Sequence, residues 1–316
     1  MAIDLTSGPL VMQAPIGPAA TPELVAAVAS AGALGCLAAS WTPLDELRDQ
    51  VRQVQRSVDR PFCVNLVMAF DQRERLELLA EEAVPAISLS WGPDRDAIAR
   101  ARAAGVTVLV QVGDADEGEQ AAASGADVVV AQGVEAGGHV ESRTPLHRLV
   151  GELRRRLSLP ILAAGGVSDA ATAAAALAAG AHGVAAGTAF LVADEADVHR
   201  LYRERLLAAS GPDTVLTGLF DVGWPDAPHR VLRNATLDAW TAAGSPPPGR
   251  RPGEGETVAR RRGAPIPRYS DAQPTRDTDG DVTAMAMYAG AGVDRVARAE
   301  DAATIAARLV AATRPT

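Results

Sequence analysis

A short turn near the middle of the chain carries residue types that catalysis often uses. Residues 131–140 read AQGVEAGGHV and follow the apolar run 128–130, which predicts a buried parallel strand. The adjacent Gly137 and Gly138 allow a backbone to approach a flat or anionic ligand where a Cβ atom would collide. His139 ends the turn, and histidine is the side chain best suited to move a proton near neutral pH. Taken alone, the segment is equally compatible with a tight turn that carries a surface histidine.

Two further glycine turns follow apolar runs later in the chain. Residues 160–164 are followed by Gly165 and Gly166, and residues 183–186 are followed by Gly187 and Thr188. Each turn exposes backbone N–H groups beside a predicted helix start, an arrangement that attracts an anion. Two such turns, next to the turn of His139, predict a site for a phosphorylated ligand.

Eight strand-like runs alternate with helical stretches, and they position these turns. Their starts fall 21 to 32 residues apart, the period of a βα unit. The runs are residues 10–16, 34–39, 62–68, 86–91, 107–112, 128–132, 160–164 and 183–186. Eight units predict an α/β fold, the (β/α)₈ TIM barrel, whose active site forms at the carboxyl ends of the strands. An open doubly wound sheet is the competing fold, but its GxGxxG fingerprint after the first strand is missing.

Threonine, proline and glycine residues predict where several helices begin and end. A threonine before proline predicts a capped helix start at three places: Thr21–Pro22, Thr42–Pro43 and Thr144–Pro145. Glycine after alanine predicts a left-handed helix end at Gly32, Gly105 and Gly180.

The regular alternation stops after residue 211. Residues 244–255 and 271–281 are rich in proline, glycine and polar residues. We therefore predict a barrel formed by residues 1–212 and 282–316, with a smaller inserted lid over residues 213–281. Helical patterns return only in three patches, at residues 227–242, 283–287 and 300–312.

Composition excludes several classes of partner and chemistry. The net charge of −9 argues against nucleic acid or an anionic membrane surface as a partner. The chain contains no lysine, which excludes a Schiff-base aldolase, a pyridoxal-phosphate lysine and a P-loop lysine. Cys36 and Cys63 lie in separate apolar runs without metal-ligand spacing, and no HxH, HExxH or paired CxxC motif predicts a metal. We expect buried thiols in a cytoplasmic protein without a signal peptide.

Other side chains near the predicted strand ends have less specific signals. Asn65 could contact a ligand or cap the following helix. Trp41 and Trp91 could wall a pocket, and we expect them to cover the barrel rim. His182 is expected to be structural because it lies in a helix-to-strand turn at the opposite end of the barrel, and no motif surrounds the three histidines of the helical or lid segments: His147, His199 and His229. A phosphate site beside one histidine, without a metal motif, fits flavin mononucleotide (FMN), whose ring would span from the phosphate turns to His139.

The chain resembles the nitronate monooxygenase family, formerly called 2-nitropropane dioxygenases. The resemblance covers nearly the whole chain and rests on the motifs QAPI at residues 13–16, EAGGH at 135–139, PILAAGGVSD at 160–169 and GVAAGTAFL at 183–191. It implies an FMN-dependent barrel that oxidises alkyl nitronates and nitro compounds with O₂, with His139 as the catalytic base. The residues that it implies around FMN are Ala14, Ile16, Asn65, Gln132, Gly137, Gly138, Gly165, Gly166, Ala185, Ala186, Gly187 and Thr188.

Two alternatives stay open at this point, and the assembly is not fixed either. Flavin-dependent enoyl-acyl-carrier-protein reductases share the EAGGH turn and use NAD(P)H, so the resemblance is also compatible with an enoyl-thioester reductase. The second alternative is a barrel that binds a phosphorylated metabolite without redox chemistry. The observation that suggests it is the pair Ala185–Ala186, where the family usually has glutamine and methionine. Val67 also replaces an aromatic residue, which favours a bulkier nitro or carbonyl substrate. A homodimer is compatible with the sequence.

Overall fold

The fold is a barrel of parallel strands surrounded by helices, with a smaller cap over one end. The computed structural model describes residue 3 and residues 8–313. The first nine strands in chain order are β1 Leu10–Gln13, β2 Cys36–Ala38, β3 Cys63–Val67, β4 Ala86–Ser90, β5 Thr107–Val112, β6 Val128–Gln132, β7 Gly138–His139, β8 Ile161–Ala164 and β9 Gly183–Ala186. All of them except β7 form the barrel.

The barrel strands are arranged in chain order around the sheet, and all neighbours are parallel. Their order is β1-β9-β8-β6-β5-β4-β3-β2. The remaining gap closes because the N–H of Gln13 donates to the carbonyl of Leu34 at 2.9 Å and the N–H of Leu34 donates to that of Val11 at 2.8 Å. The predicted (β/α)₈ class is therefore confirmed. Several strands are shorter than the apolar runs, because residues such as 14–16 leave the sheet to form turns above it.

The helices occupy the stretches between strands and then the end of the chain. They are α1 Pro22–Ser30, α2 Leu44–Ser57, α3 Arg73–Glu81, α4 Arg95–Ala103, α5 Ala115–Ser124, α6 Leu146–Arg156, α7 Ala170–Ala178, α8 Thr188–Leu191, α9 Arg200–Ala208, α10 Ala235–Ala242 and α11 Ala302–Thr313. Among the described residues, none of these helices combines the length and apolar character that a membrane crossing needs.

Helix ends follow the predicted signals in part. Thr21 caps α1, since its Oγ1 accepts from the N–H of Leu24 at 3.1 Å. Thr42 and Thr144 do not act as caps, and that prediction is wrong. Pro43 and Pro145, whose φ and ψ are extended, themselves stand at the cap position, and α2 and α6 have no side-chain cap. The three glycines adopt left-handed φ values as predicted, +84° at Gly32, +76° at Gly105 and +103° at Gly180.

Side chains alternate along each barrel strand between two apolar layers. In β9, Ala185 belongs to the inner layer within the barrel, whereas Ala186 belongs to the outer layer that packs against the helices. Cys36 and Cys63 are both buried in the inner layer as free thiols, and they face each other in the register of β2 and β3. Burial raises the pKa of the Cys36 thiol, so it stays protonated.

The cap contains two small antiparallel sheets. Its strands are β10 Thr214–Thr217, β11 His229–Leu232, β12 Thr257–Arg261, β13 Ala264–Pro267 and β14 Thr278–Gly280. One sheet has the order β10-β11-β7 and the other β13-β12-β14. Because β7 follows β6 of the barrel, the first cap sheet continues directly into the turn of His139.

Two of the predicted helical patches have a different conformation in the structure. Residues 229–232 form β11 rather than helix, because they pair with β10 on one side and with β7 on the other. The helix α10 begins only after Asn234, whose Oδ1 accepts from the N–H of Leu237 at 3.0 Å. Residues 283–287 contain a single 3₁₀ turn. The division of the chain at residues 213 and 281 stays a prediction.

Candidate active site

The carboxyl ends of the barrel strands surround a cavity of about 690 Å³ that the cap covers. Most of the predicted site residues line it: Ala14, Ile16, Asn65, Gln132, Gly137, Gly138, His139, Gly165, Gly166, Ala185, Gly187 and Thr188. Ala186 does not line the cavity, because its side chain points to the outer layer of the barrel. The sequence motifs thus come together in space, although they are spread over 175 residues from Ala14 to Thr188.

Gln132 holds the turn of His139 in place. Its Nε2 donates to the carbonyl of His139 at 3.0 Å, and its Oε1 accepts from the N–H of Glu141 at 2.8 Å. Both ends of the amide are therefore used by the backbone around His139. This explains why the strand β6 ends in glutamine: the side chain fixes the two-residue strand β7 above the barrel.

The imidazole of His139 is neutral and has an available nitrogen. Its Nε2 is buried and has no hydrogen-bond partner among the residues that the structure describes. Burial, together with the neighbouring His229, lowers the pKa of His139 to about 3. A neutral imidazole with an unpaired Nε2 can accept a proton from a bound molecule, and an anionic ligand nearby would raise this pKa.

The glycine side of the cavity comprises Gly137–Gly138, Gly165–Gly166 and Gly187–Thr188. Gly165 has φ +121°, and a Cβ there would lie 3.1 Å from the backbone N of Ala136. A Cβ at Gly137 would lie 2.5 Å from the backbone N of Gly290. In the described part of the chain, the N–H groups of Gly166 and Gly187 donate to no protein acceptor. This side therefore offers backbone N–H groups in a space that side chains would fill.

The aromatic side of the cavity comprises three rings that line it, those of Trp41, Trp91 and Trp224, and the ring of Phe70, which packs against Trp41 and Trp224. Ring centroids are 5.5 Å apart for Trp41 and Phe70, and 4.8 Å for Trp91 and Trp224. Trp224 also stacks on His139 with 4.3 Å between ring centroids and 23° between planes. Trp41 and Trp91 both line the cavity, which agrees with the pocket-wall role considered from the sequence, and Trp41 remains 58% exposed. They do so because the cap brings Trp224 down between them.

Asn65 lies within β3 and does not cap a helix. Its Nδ2 donates to the carbonyl of Ser88 at 3.1 Å, which fixes the amide at the floor of the cavity. Gln13, the first residue of the QAPI motif, is fully buried on β1. The Oε1 of Gln13 accepts from the N–H of Cys36 at 2.8 Å and so ties β1 to β2.

Three titratable residues near the site were missed from the sequence. Glu141 is half-buried and accepts from Nε2 of Gln111 at 2.5 Å, and burial raises its pKa to about 7. Asp271 lines the cavity, and burial raises its pKa to about 6. His229 is fully buried with its ring centroid 5.2 Å from that of His139. The position of Glu141, two residues after His139, was the one available signal.

The geometry defines the class of protein before any comparison. A (β/α)₈ barrel with glycine turns and an unpaired histidine at the carboxyl ends of its strands has the arrangement of a barrel enzyme with an anion-binding active site. The pattern of the nitronate monooxygenase family matches residues 2–74 and 67–312, and the chain belongs to this family.

Individual relatives show which proteins the chain is similar to. It is 38% identical over 231 residues to the (3aS,4S,5R,7aS)-5-hydroxy-7a-methyl-1-oxo-octahydro-1H-indene-4-carboxyl-CoA dehydrogenase of Mycobacterium tuberculosis. That match covers 72% of this chain and 64% of the relative, so it spans less than two thirds of the relative's length. Nitronate monooxygenase of Pseudomonas aeruginosa is 34% identical over 285 residues, with 75% of this chain and 80% of the relative covered.

Solved structures agree with this family. The nitroalkane oxidase of Streptomyces ansochromogenes superposes with a TM-score of 0.79 at 29% identity, covering 97% of this chain and 96% of that one. FabK of Thermotoga maritima superposes with a TM-score of 0.79 at 25% identity, covering 96% of this chain and 92% of that one. The similarity extends over the barrel and the cap together.

Proposed function

We propose that the protein is an FMN-dependent oxidoreductase that oxidises alkyl nitronates or related nitro compounds with O₂. The observation that carries this proposal is the position of His139: its Nε2 has no partner among the described residues, and it lines the same cavity as the glycine side. Membership of the nitronate monooxygenase family, whose members are flavoproteins, supports a flavin in this cavity.

The cavity fits the phosphate and ring of such a cofactor on two counts. A Cβ at Gly165 would crowd the backbone N of Ala136, so the absence of a side chain keeps this space open. The N–H groups of Gly166 and Gly187 are available as donors to an anion. We propose that the glycine side holds the phosphate, while Asn65 and Gln132 contact the ring system. When bound, FMN supplies the electron acceptor and the route by which electrons reach O₂.

His139 acts on the substrate as a base in this proposal. A neutral nitroalkane has an acidic hydrogen on the carbon next to the nitro group, and Nε2 of His139 accepts that proton. The electron pair of the C–H bond then stays on the substrate as the nitronate. Trp91 and Trp224 exclude water around the imidazole, which makes the proton transfer depend on a positioned substrate.

The direct test is oxygen consumption by the purified protein. It should show the absorption bands of a bound flavin and should consume O₂ with an alkyl nitronate in the absence of NAD(P)H. A series of nitronates with increasing chain length separates a poor substrate from a wrong reaction. A protein that neither contains nor takes up FMN would overturn the proposal in favour of a non-redox metabolite-binding barrel.

A second candidate function is a redox reaction on an acyl thioester. The specific finding in its favour is the 38% identity to a carboxyl-CoA dehydrogenase, together with the structural similarity to FabK. Mixing the flavin form with NADH or NADPH in a stopped-flow instrument separates the two candidates. Rapid bleaching of the flavin would favour an NAD(P)H-dependent enoyl-thioester reductase, whereas flavin that stays oxidised favours the nitronate reaction.

A further inference from the structure

The Trp224 loop, residues 220–227, is a part of the cap that reaches the cavity. Trp224 is 7% exposed and stacks on His139, which lies on β7, 85 residues earlier in the chain. The loop makes a sharp turn at Gly223, which has φ +119°. A Cβ at Gly223 would lie 2.3 Å from Oδ1 of Asp271. The turn therefore depends on glycine, and it aims the indole ring at the base.

His229 connects the two ends of this loop through its ring. Its Nε2 lies 3.1 Å from the backbone N of Phe220, and its Nδ1 lies 2.9 Å from the carbonyl O of Ala227. A carbonyl only accepts, so Nδ1 carries the proton and Nε2 accepts from the N–H of Phe220. Both ring nitrogens are thus used within the loop that carries Trp224.

We propose that His229 is a positioning residue that clips the Trp224 loop closed over His139. The neutral ring makes one bond to each end of the loop, which has no helix or strand of its own between residues 220 and 227. One isolated bridge, from Val222 to Ser270, also holds the first half of the loop. The half from Trp224 to Ala227 lies between this bridge and His229. Removal of the clip frees Trp224 from His139. His229 itself does not line the cavity; it holds Trp224 and also lies directly beside His139, with 5.2 Å between ring centroids, so the accessibility of Trp224 is the readout that isolates the clip.

The clip has a definite response to acid. A protonated ring would turn Nε2 into a donor facing the N–H of Phe220, and that bond would be lost. Burial lowers the pKa of His229, while the bond to Ala227 and the charge of Asp221 act in the opposite direction. The other titratable groups that face the ring are His139 and Tyr288. The closed loop disfavours protonation of the His229 ring. The population of the open loop therefore increases as the pH falls through the ordinary pKa range of histidine.

The experiment compares three variants of the full chain as purified. His229→Leu removes both bonds, whereas His229→Gln can place an amide oxygen near the position of Nε2 without being titratable. His147→Gln is the matched control, because His147 is exposed on α6. The readouts are acrylamide quenching of Trp224 fluorescence, assigned by subtraction of the Trp224→Phe protein, and the rate at which diethyl pyrocarbonate modifies His139, counted by peptide mapping.

We expect Trp224 quenching to rise several-fold in His229→Leu at every pH, and His139 modification to rise several-fold at neutral pH, where the exposed ring stays unprotonated. In the wild type, quenching should show the same rise only in acid, and His229→Gln should stay protected throughout. Circular dichroism and the melting temperature show whether each variant is folded. An unchanged accessibility of Trp224 in folded His229→Leu would overturn the proposal, and so would an acid response that persists in His229→Gln.

The inference takes the role of His139 from the proposed function, but its readouts need no turnover. If the clip results hold and no nitronate is oxidised, the proposed function fails and the clip stands. If nitronates are oxidised and accessibility does not respond to His229, the clip fails alone. A kinetic readout adds to this: His229→Leu should have a lowered kcat at every pH, whereas the wild type should lose kcat by this route only in acid.

Discussion

The two sides of the cavity are built in different ways. The glycine side consists of backbone turns that directly follow β6, β8 and β9, and each turn is contained in a few consecutive residues. The aromatic side is assembled from loops after β2, β3 and β4 and from the cap, so its members are up to 183 residues apart between Trp41 and Trp224. The glycine side is a local backbone structure and tolerates few substitutions. On the aromatic side, by contrast, each ring can be substituted separately.

The largest effect should come from His139, which lies where the two sides meet. We expect His139→Ala to lower turnover of neutral nitroalkanes by about 10²–10⁴-fold, the usual range for loss of a general base. Flavin content should be unchanged, because the glycine side is intact. A preformed nitronate has already lost its proton, so the variant should be far less impaired on it. His147→Ala is the control. Equal losses on both substrate forms would show that His139 is not acting mainly as a base.

A substitution on the glycine side should affect the cofactor and not the chemistry. Gly165→Ala forces a non-glycine residue to φ +121° and places a Cβ 3.1 Å from the backbone N of Ala136. Such backbone strain lowers the stability of the fold by about 1–3 kcal/mol. Because the Cβ also enters the space that the proposed function gives to the cofactor, we expect flavin affinity to fall by about tenfold to a hundredfold. Gly105→Ala is the matched control, since it has φ +76° with open space around it, far from the site.

Flavin titration followed by absorbance measures the difference between these two variants. Both should lower the free energy of unfolding to a similar extent, and only Gly165→Ala should release flavin. If Gly105→Ala loses flavin equally, the effect of Gly165 is global and the glycine side has no special relation to the cofactor.

The comparison also explains which features could be predicted from the sequence. Strand periodicity and glycine turns are local, so the eight barrel strands and the positions of Gly165 and His139 followed from short segments. The prediction of helix over residues 227–232 was wrong because pairing of β11 with β7 and β10 decides the conformation of this segment, and that pairing is not local. Trp224, His229 and Asp271 were missed for the same reason: each reaches the cavity through the cap, and no motif around them reports this.

The pH dependence of stability tests the environment of the Glu141 carboxyl group. Burial raises the pKa of Glu141 from 4.5 to about 7, so the folded state holds a proton that the unfolded state has already released. The group therefore favours folding at low pH, and that advantage is lost as the pH rises through 7. We expect the free energy of unfolding to fall by about 1 kcal/mol between about pH 6 and pH 8 because of this group.

Urea unfolding of the Glu141→Gln variant at both pH values checks this expectation. The variant should lose that part of the pH dependence, whereas Glu74→Gln, which removes an exposed carboxylate on α3, should keep it. If the free energy of unfolding changes equally between the two pH values in the wild type, Glu141→Gln and Glu74→Gln, Glu141 is ionised in the folded state at both pH values.

The smallest effect on stability should come from Trp41, the outermost ring of the aromatic side. It is 58% exposed, yet it lines the cavity and contacts Phe70 and Trp224. Trp41→Ala should therefore lower the free energy of unfolding by only about 0.5–1 kcal/mol. For a bulky apolar substrate it should raise KM with kcat nearly unchanged, because the ring binds ground state and transition state alike.

Leu216→Ala is the matched control for Trp41, since Leu216 is also an exposed large apolar residue but lies on β10 away from the cavity. It should leave KM unchanged for every substrate. The ratio of KM values for bulky and short nitronates in Trp41→Ala then measures how far the aromatic side selects the substrate. If that ratio equals the wild-type ratio, selection lies deeper in the cavity, at Trp91 and Trp224, because these rings contact each other and surround His139.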